Sequence, residues 1–199
     1  MGQPVLKSGF SADDYLAWEA AQTQRHEYLN GEVFNMAGAE DRHVTATLNV
    51  AMALRQHLTG SPCRVYLQDM KVQAKASNAF FYPDVLVTCS TADRLSPLVK
   101  REPVLLVEVL SPSTAAYDRG EKFAHYRSIA TLAEYVLIDL DSRRVDVYRK
   151  GGDGLWVLHP FAAGEAVHWA SVDLTVSAEL LFAEVDEPVH PQPGEATSG

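Results

Sequence analysis

The run Pro103–Leu110, "PVLLVEVL", constrains the fold most. It is apolar at every position but one, and it is too short and too rich in valine and leucine to read as an amphipathic helix. A strand with that pattern needs cover on both faces, which makes it a central strand of a sheet with layers above and below. The exception is Glu108. Burying a lone carboxylate costs several kcal/mol, so either a partner or a function must offset it.

The rest of the chain supplies the layers. "SADDYLAWEAA" opens a helix, with Ser11 as cap and Asp14 at the third helical position. In "RHEYLNGEVFNM", Asn30-Gly31 between two alternating runs signals a hairpin with a two-residue turn. That turn pairs Leu29 with Glu32 and Glu27 with Phe34, and puts these four on one face. Residues 39–58 read as a second helix with Val44, Thr47, Leu48, Ala51, Leu54 and Leu58 inward. "CRVYLQDMKVQA" and "FFYPDVLVTC" read as strands, "DRGEKFAHYRSI" as a helix, then "EYVLIDL", "RRVDVYRK" and "GLWVLHPF" as strands and "SAELLF" as a short helix. The order implies one α/β (α+β) domain over residues 1–183, a central mixed β-sheet flanked by helices, with an N-terminal helix and β-hairpin. Tyr15, Trp18, Trp156 and Trp169 fall at core or interface positions, not in a base-stacking array.

Composition limits function. Among 199 residues the formal net charge is −9, which opposes tight, non-specific attraction to a phosphate backbone. A bound cation can reverse that sign locally. Residues 184–199, "EVDEPVHPQPGEATSG", have few large apolar side chains and are expected to form a disordered tail. Neither a signal peptide nor a membrane span is expected, and the two cysteines, Cys63 and Cys89, lack metal-ligand spacing. They are read as reduced thiols of a cytoplasmic protein.

The chemistry gathers around Glu108. The preceding strand, "FFYPDVLV", carries one charge as well, Asp84. Two carboxylates on neighbouring strands repel, and a hard divalent cation removes the repulsion. Mg²⁺ (or Mn²⁺) takes one or two protein carboxylates and keeps its waters, which suits this pair. In the following helix, Asp118 and Glu121 have the spacing of a capping box, so Asp118 is expected to cap, with Lys122 in the opening turns reaching back to Glu108. Metal-assisted attack of water on a phosphodiester is the chemistry such a set performs, with Lys122 steadying developing negative charge.

"YPD", "VEVLSPST" and "DRGEKFAHYR", preceded by "RHEYLNGEV" and "DRHVTATL", resemble the bacterial Uma-type restriction endonuclease family of the PD-(D/E)XK, restriction-endonuclease-like superfamily. The resemblance spans roughly residues 11–183 and implies that Asp84 and Glu108 are the motif acids and metal ligands. Leu110 stands where the superfamily has its lysine, and Lys122 supplies the matching position from the helix. By the same resemblance Glu27 and His43 join the catalytic set, DNA is the partner, and a homodimer is the expected assembly. The alternatives are a binding or assembly protein that keeps the fold without catalysis, and a hydrolase of small phosphoesters. Replacing Lys122 with alanine is expected to spare folding, and position 110 is expected to face the site.

Overall fold

The computed structural model describes residues 4–5, 8–36 and 38–186. The first half contains β1 (Pro4–Val5), α1 (Ala12–Glu19), β2 (His26–Leu29), β3 (Glu32–Asn35), α2 (Asp41–His57), β4 (Arg64–Leu67), β5 (Lys71–Ala74), β6 (Ala79–Phe81), β7 (Val85–Thr88) and α3 (Thr91–Leu95). The second half contains β8 (Val99–Lys100), β9 (Pro103–Val109), α4 (Ala115–Tyr117), a π-helical turn (Asp118–Lys122), α5 (Phe123–Tyr126), β10 (Glu134–Asp139), β11 (Arg144–Lys150), β12 (Trp156–Phe161), β13 (Val167–Trp169), β14 (Leu174–Val176) and α6 (Ala178–Leu181).

The strands form two mixed six-stranded sheets instead of one, β1-β3-β2-β6-β5-β8 and β12-β11-β10-β9-β7-β4, plus the ribbon β13-β14. The segment expected as one strand, "FFYPDVLVTC", crosses between the sheets. It leaves the first at Phe81 and enters the second at Val85. Pro83 stands at the break, where its missing N–H cannot extend either ladder.

Alternation along β9 sorts the core into two layers. Leu105, Val107 and Val109 face α2, the ribbon and α6, while Leu106 and Leu110 face β5, β6 and the helical segment after β9. Glu108 shares the second face. Leu110 does too, yet it is buried among Phe81, Tyr126 and Leu137 and fills core. β9 pairs in parallel with β10, and the segment Ala115–Tyr126 makes the crossover that such a pair requires.

Local chemistry explains several elements. Ser11 and Asp14 form the reciprocal capping box of α1. Asn30 and Gly31 both have positive φ, +49° and +97°, as the type I′ turn demands, and the hairpin register is Leu29–Glu32 and Glu27–Phe34. α2 is rotated from its expected orientation. Thr47, Val50, Ala51, Leu54 and Leu58 are buried, whereas Val44 and Leu48 are half exposed with Met52. Ala46 and Ala51 lie on the buried face, and Val44, Leu48 and Met52 face outward. Val185, inside the expected tail, packs in the core with Phe182; residues 187–199 lie outside the described part.

The cysteines are not free thiols. Cys63 and Cys89 form a disulfide. The β4–β7 register, Arg64 opposite Thr88, brings the two residues beyond its end face to face. The 26-residue separation gave no sign of this, because the pairing of β4 with β7 is itself a tertiary event. Closing a loop of that length stabilises by about 3 kcal/mol in the chain-entropy description. A dithiol reductant should therefore lower the midpoint of urea unfolding, and the Cys63→Ser, Cys89→Ser double variant should match the reduced protein with or without reductant.

Candidate active site

Strand register sets the frame. Val85 pairs with Val107 in the antiparallel β7–β9 ladder, so Asp84, one residue before β7, falls opposite Glu108. Glu108 projects to the layer beneath the helical segment, where its carboxylate meets Lys122 and Tyr126, while the Asp84 carboxylate is held at the strand break. Asp84 is fixed from three sides. Its Oδ2 accepts a 2.7 Å hydrogen bond from the Val109 N–H, and its Oδ1 accepts one of 3.2 Å from Gln68 Nε2. His43 Nε2, from the first turn of α2, lies 2.9 Å from the same Oδ1.

Lys122 is the centre of the second half. Its Nζ lies 2.9 Å from Glu108 Oε1, 3.3 Å from Glu27 Oε1 and 3.6 Å from Asp118 Oδ1. Glu108 and Lys122 are only 4% and 6% exposed, so this is a buried cluster and not a surface ion pair. The Tyr126 hydroxyl donates to Glu108 Oε1 over 2.9 Å, and the Tyr82 N–H donates to Glu27 Oε1 over 3.4 Å. Glu27 reaches the cluster because β2 pairs with β6 (Tyr28 with Phe80), directly before the crossing at Pro83.

Asp118 does not cap a helix. The helical segment already begins at Ala115, and the Asp118 N–H bonds to the Thr114 carbonyl. Asp118 instead lies buried in a π-helical turn with helical φ and ψ. Hydrogen bonds in such a turn run from i to i+5, and single π turns recur at functional sites. The Tyr135 hydroxyl donates to the Asp118 carbonyl over 3.0 Å, and the Phe123 ring stacks on Tyr135 at 5.4 Å. These contacts hold the turn against β10 and aim Lys122 at Glu108.

All six residues singled out from sequence, Glu27, His43, Asp84, Glu108, Asp118 and Lys122, thus converge where the two sheets meet. Sequence reasoning missed Gln68, Tyr82 and Tyr126. Only Tyr126 carried a signal, its i+4 spacing from Lys122. A neighbouring buried network was missed too: Glu19 binds the His26 N–H, His26 Nδ1 and the Tyr82 hydroxyl, and Lys71 donates to that hydroxyl. It holds the Tyr82 side chain of the crossing segment.

The electrostatics follow from burial. Loss of water pushes the Glu108 carboxyl well above the usual carboxylate range; Lys122 pulls it down, while Asp84 and Asp118 push it further up. Burial also works against the Lys122 ammonium, but Glu108 and Glu27 outweigh it, and the lysine stays charged. His43 loses affinity for its proton through burial and regains more from Asp84, so its net shift is upward from 6.5. Both raised groups, His43 and Glu108, favour the folded state while protonated. Their contribution is complete below the unfolded values of 6.5 and 4.5 and is lost as pH rises through the folded ones. Without metal, stability should therefore fall as pH rises past 4.5 and on past 6.5. Binding of Mn²⁺ to deprotonated ligands should strengthen over the same interval. Thermal melts across that range, with and without Mn²⁺, check both signs.

The donor set fits a hard divalent cation. Four buried carboxylates, Glu27, Asp84, Glu108 and Asp118, face one lysine and one histidine, and the excess is negative. Among the described residues no group of three or more His, Cys, Asp or Glu side chains is arranged to hold a metal ion. Asp84 and Glu108 are a two-carboxylate set of the kind Mg²⁺ takes while retaining waters, and a cation there would replace present partners of Asp84 such as Gln68 and His43 on Oδ1.

Together the fold and this cluster define a restriction-endonuclease-like α+β protein. The crystal structure of a protein from Anabaena variabilis, described as a "putative nuclease belonging to DUF820", has the same fold: the TM-score is 0.73 over 87% of this chain and 98% of that one, at 18% identity. The chain belongs to the Uma2 family, "Putative restriction endonuclease", whose family model matches residues 12–180. Two proteins from Synechocystis sp. are similar to it. The one named "Uncharacterized protein slr1290" is 35% identical over 172 residues, 86% of this chain and 90% of its own length. The one named "Uncharacterized protein sll1609" is 35% identical over 150 residues, 74% of this chain and 85% of its own length. Among the described residues no helix is long and apolar enough to cross a membrane.

Proposed function

We propose that this protein is a metal-dependent endonuclease that hydrolyses phosphodiester bonds of DNA, with Mg²⁺ or Mn²⁺ held by Asp84 and Glu108. The observation that carries the reading is Lys122, a buried ammonium 2.9 Å from Glu108 at the place where Asp84 and Glu108 stand opposite each other. The cation would lower the pKa of a bound water and neutralise phosphate charge. The chain's own groups do the remainder. Lys122 offers its positive charge to the phosphoryl oxygens as they gain charge, with Glu27 and Asp118 fixing its direction. His43 and Gln68 orient Asp84, and Tyr126 orients Glu108. Membership of the Uma2 family supports hydrolytic cleavage of nucleic acid. A DNA substrate would place the work in the cytoplasm, and a homodimer would supply two such sites for cutting both strands.

A second reading has an observation behind it: the carboxylates already have protein partners, as in a purely structural ion-pair cluster within a binding protein. Supercoiled plasmid incubated with Mg²⁺ or Mn²⁺, and in parallel with a chelator, separates the two. Conversion to nicked and linear forms only with metal supports the nuclease. An intact plasmid under every condition supports the binding protein.

A further inference from the structure

The outward face of α2 carries a stripe of apolar side chains. Val44, Leu48 and Met52 are 49%, 51% and 60% exposed, one turn apart along a 17-residue helix. Steps of four and of seven residues return to nearly the same side of an α-helix, so the stripe also takes in Asp41 and Arg55. Both are exposed, Asp41 in the first turn and Arg55 in the last. A shallow depression lined by Ala51, Met52, Arg55, Gln56 and Thr59 lies along the C-terminal half. Beside the helix, α6 accepts from Asn49 at the Leu181 carbonyl and adds Leu180, 45% exposed. The opposite face, with Val50 and Leu54, already fixes α2 to the core, so the stripe adds nothing to the packing of one chain.

The pattern is symmetric about Leu48. Val44 and Met52 stand four residues to either side of it, and Asp41 and Arg55 stand seven. Two α2 helices packed antiparallel about a two-fold axis at Leu48 therefore set Leu48 on Leu48 and Val44 of each copy on Met52 of the other. Asp41 of each copy comes beside Arg55 of the other, and each Val44 reaches the depression that Met52 borders. The charges choose the direction. A parallel pair would set Asp41 against Asp41 and Arg55 against Arg55, and like charges in register oppose association. A two-fold contact needs one patch that complements itself, and this stripe does so in both shape and charge. A foreign partner would impose no such symmetry on it.

We infer that this stripe is the contact between two copies of the chain, an antiparallel α2–α2 pair with Leu48 on the two-fold axis. The inference stands on the helix surface and does not depend on cleavage of DNA. It has a consequence for the cluster: His43, in the first turn of the same helix, lies 2.9 Å from Asp84 Oδ1, so the pairing joins two clusters in one assembly. One helix face is small beside the roughly 800 Å² per partner of a standard stable interface, so the pair forms and dissociates with concentration.

Sedimentation equilibrium of the full chain over a concentration series tests it. The wild type should pass from monomer to dimer as concentration rises. Leu48→Glu puts two like charges on the axis and should weaken the dimer about tenfold or more. Its melting temperature should hold when read on the monomer, because position 48 lies outside the core. Met52→Glu, at the more exposed position, gives the same reading should Leu48→Glu lower that temperature. Asp41→Arg and Arg55→Asp should each weaken the dimer, and the two changes in one chain should restore it, because opposite charges again meet across the axis. A wild type that stays monomeric at every concentration overturns the inference and leaves the stripe to a different protein. A dimer that both glutamate variants leave intact overturns it too, since the contact then lies on another surface. A dimer that they break but that the double charge reversal fails to restore overturns the antiparallel register.

Discussion

Lys122→Ala is expected to lose most activity and also much of the protein's stability. Among the described residues the lysine lies within 4 Å of Glu27, Glu108 and Asp118 alike. Removing it leaves three buried carboxylates without their counter-charge, and breaking a buried pair in this way typically costs about 3 to 5 kcal/mol. Lys122→Met should fare little better, because it restores volume and not charge. This differs from the expectation drawn from sequence that alanine here would spare folding, which had Lys122 reach back to Glu108 without counting it as counter-charge to three buried carboxylates. Urea unfolding of both variants measures the stability loss. Divalent metal should recover part of it, by supplying charge where the ammonium was. In cleavage assays on whatever fraction folds, loss of a well-placed electrostatic donor should appear as about 10²- to 10³-fold in rate. Full stability in Lys122→Ala would mean that the carboxylates share protons instead, and the ion-pair account of the cluster would fail. Leu110→Lys should not rescue, since position 110 is buried within the apolar core.

What sequence could reveal divides along physical lines. Local rules marked the Asn30-Gly31 hairpin, the Ser11–Asp14 box and the central strand, because each depends on residues a few positions apart. The two-residue turn also fixed the register that puts Glu27 opposite Phe34. The conspicuous cost of burying Glu108 led correctly to its neighbours Asp84 and Lys122. Long-range and backbone-specific features were illegible. The exchange between sheets at Pro83 depends on which strands are neighbours, and so does the Cys63–Cys89 bridge. "DRGEK" has the spacing of a capping box, but the helix starts three residues earlier, which turns Asp118 inward. A π turn has no sequence signature of its own. The α2 face was read in part: Thr47, Ala51, Leu54 and Leu58 are buried as expected, while Val44 and Leu48 are half exposed.

Glu108→Gln separates chemistry from folding, which Lys122→Ala cannot do. Glutamine keeps the size and an oxygen for the Tyr126 hydroxyl, and Lys122 keeps Glu27 and Asp118 as partners. Burial already disfavours the charged carboxylate at this position more strongly than Lys122 favours it. The neutral variant should therefore melt at or above the wild-type temperature without metal, and it should lose the rise in melting temperature that saturating Mn²⁺ gives the wild type. Asp84→Ala should lose that rise too, but it also releases the Val109 N–H, Gln68 and His43 from their acceptor, so its stability should fall. The decisive measurement is the initial rate of supercoiled-plasmid nicking in Mn²⁺ by folded Glu108→Gln beside wild type. A hydrolytic centre built on Asp84, Glu108 and Lys122 predicts a wild type that nicks and a variant at least about 10²-fold slower with its fold intact. Equal rates for the two proteins would contradict it.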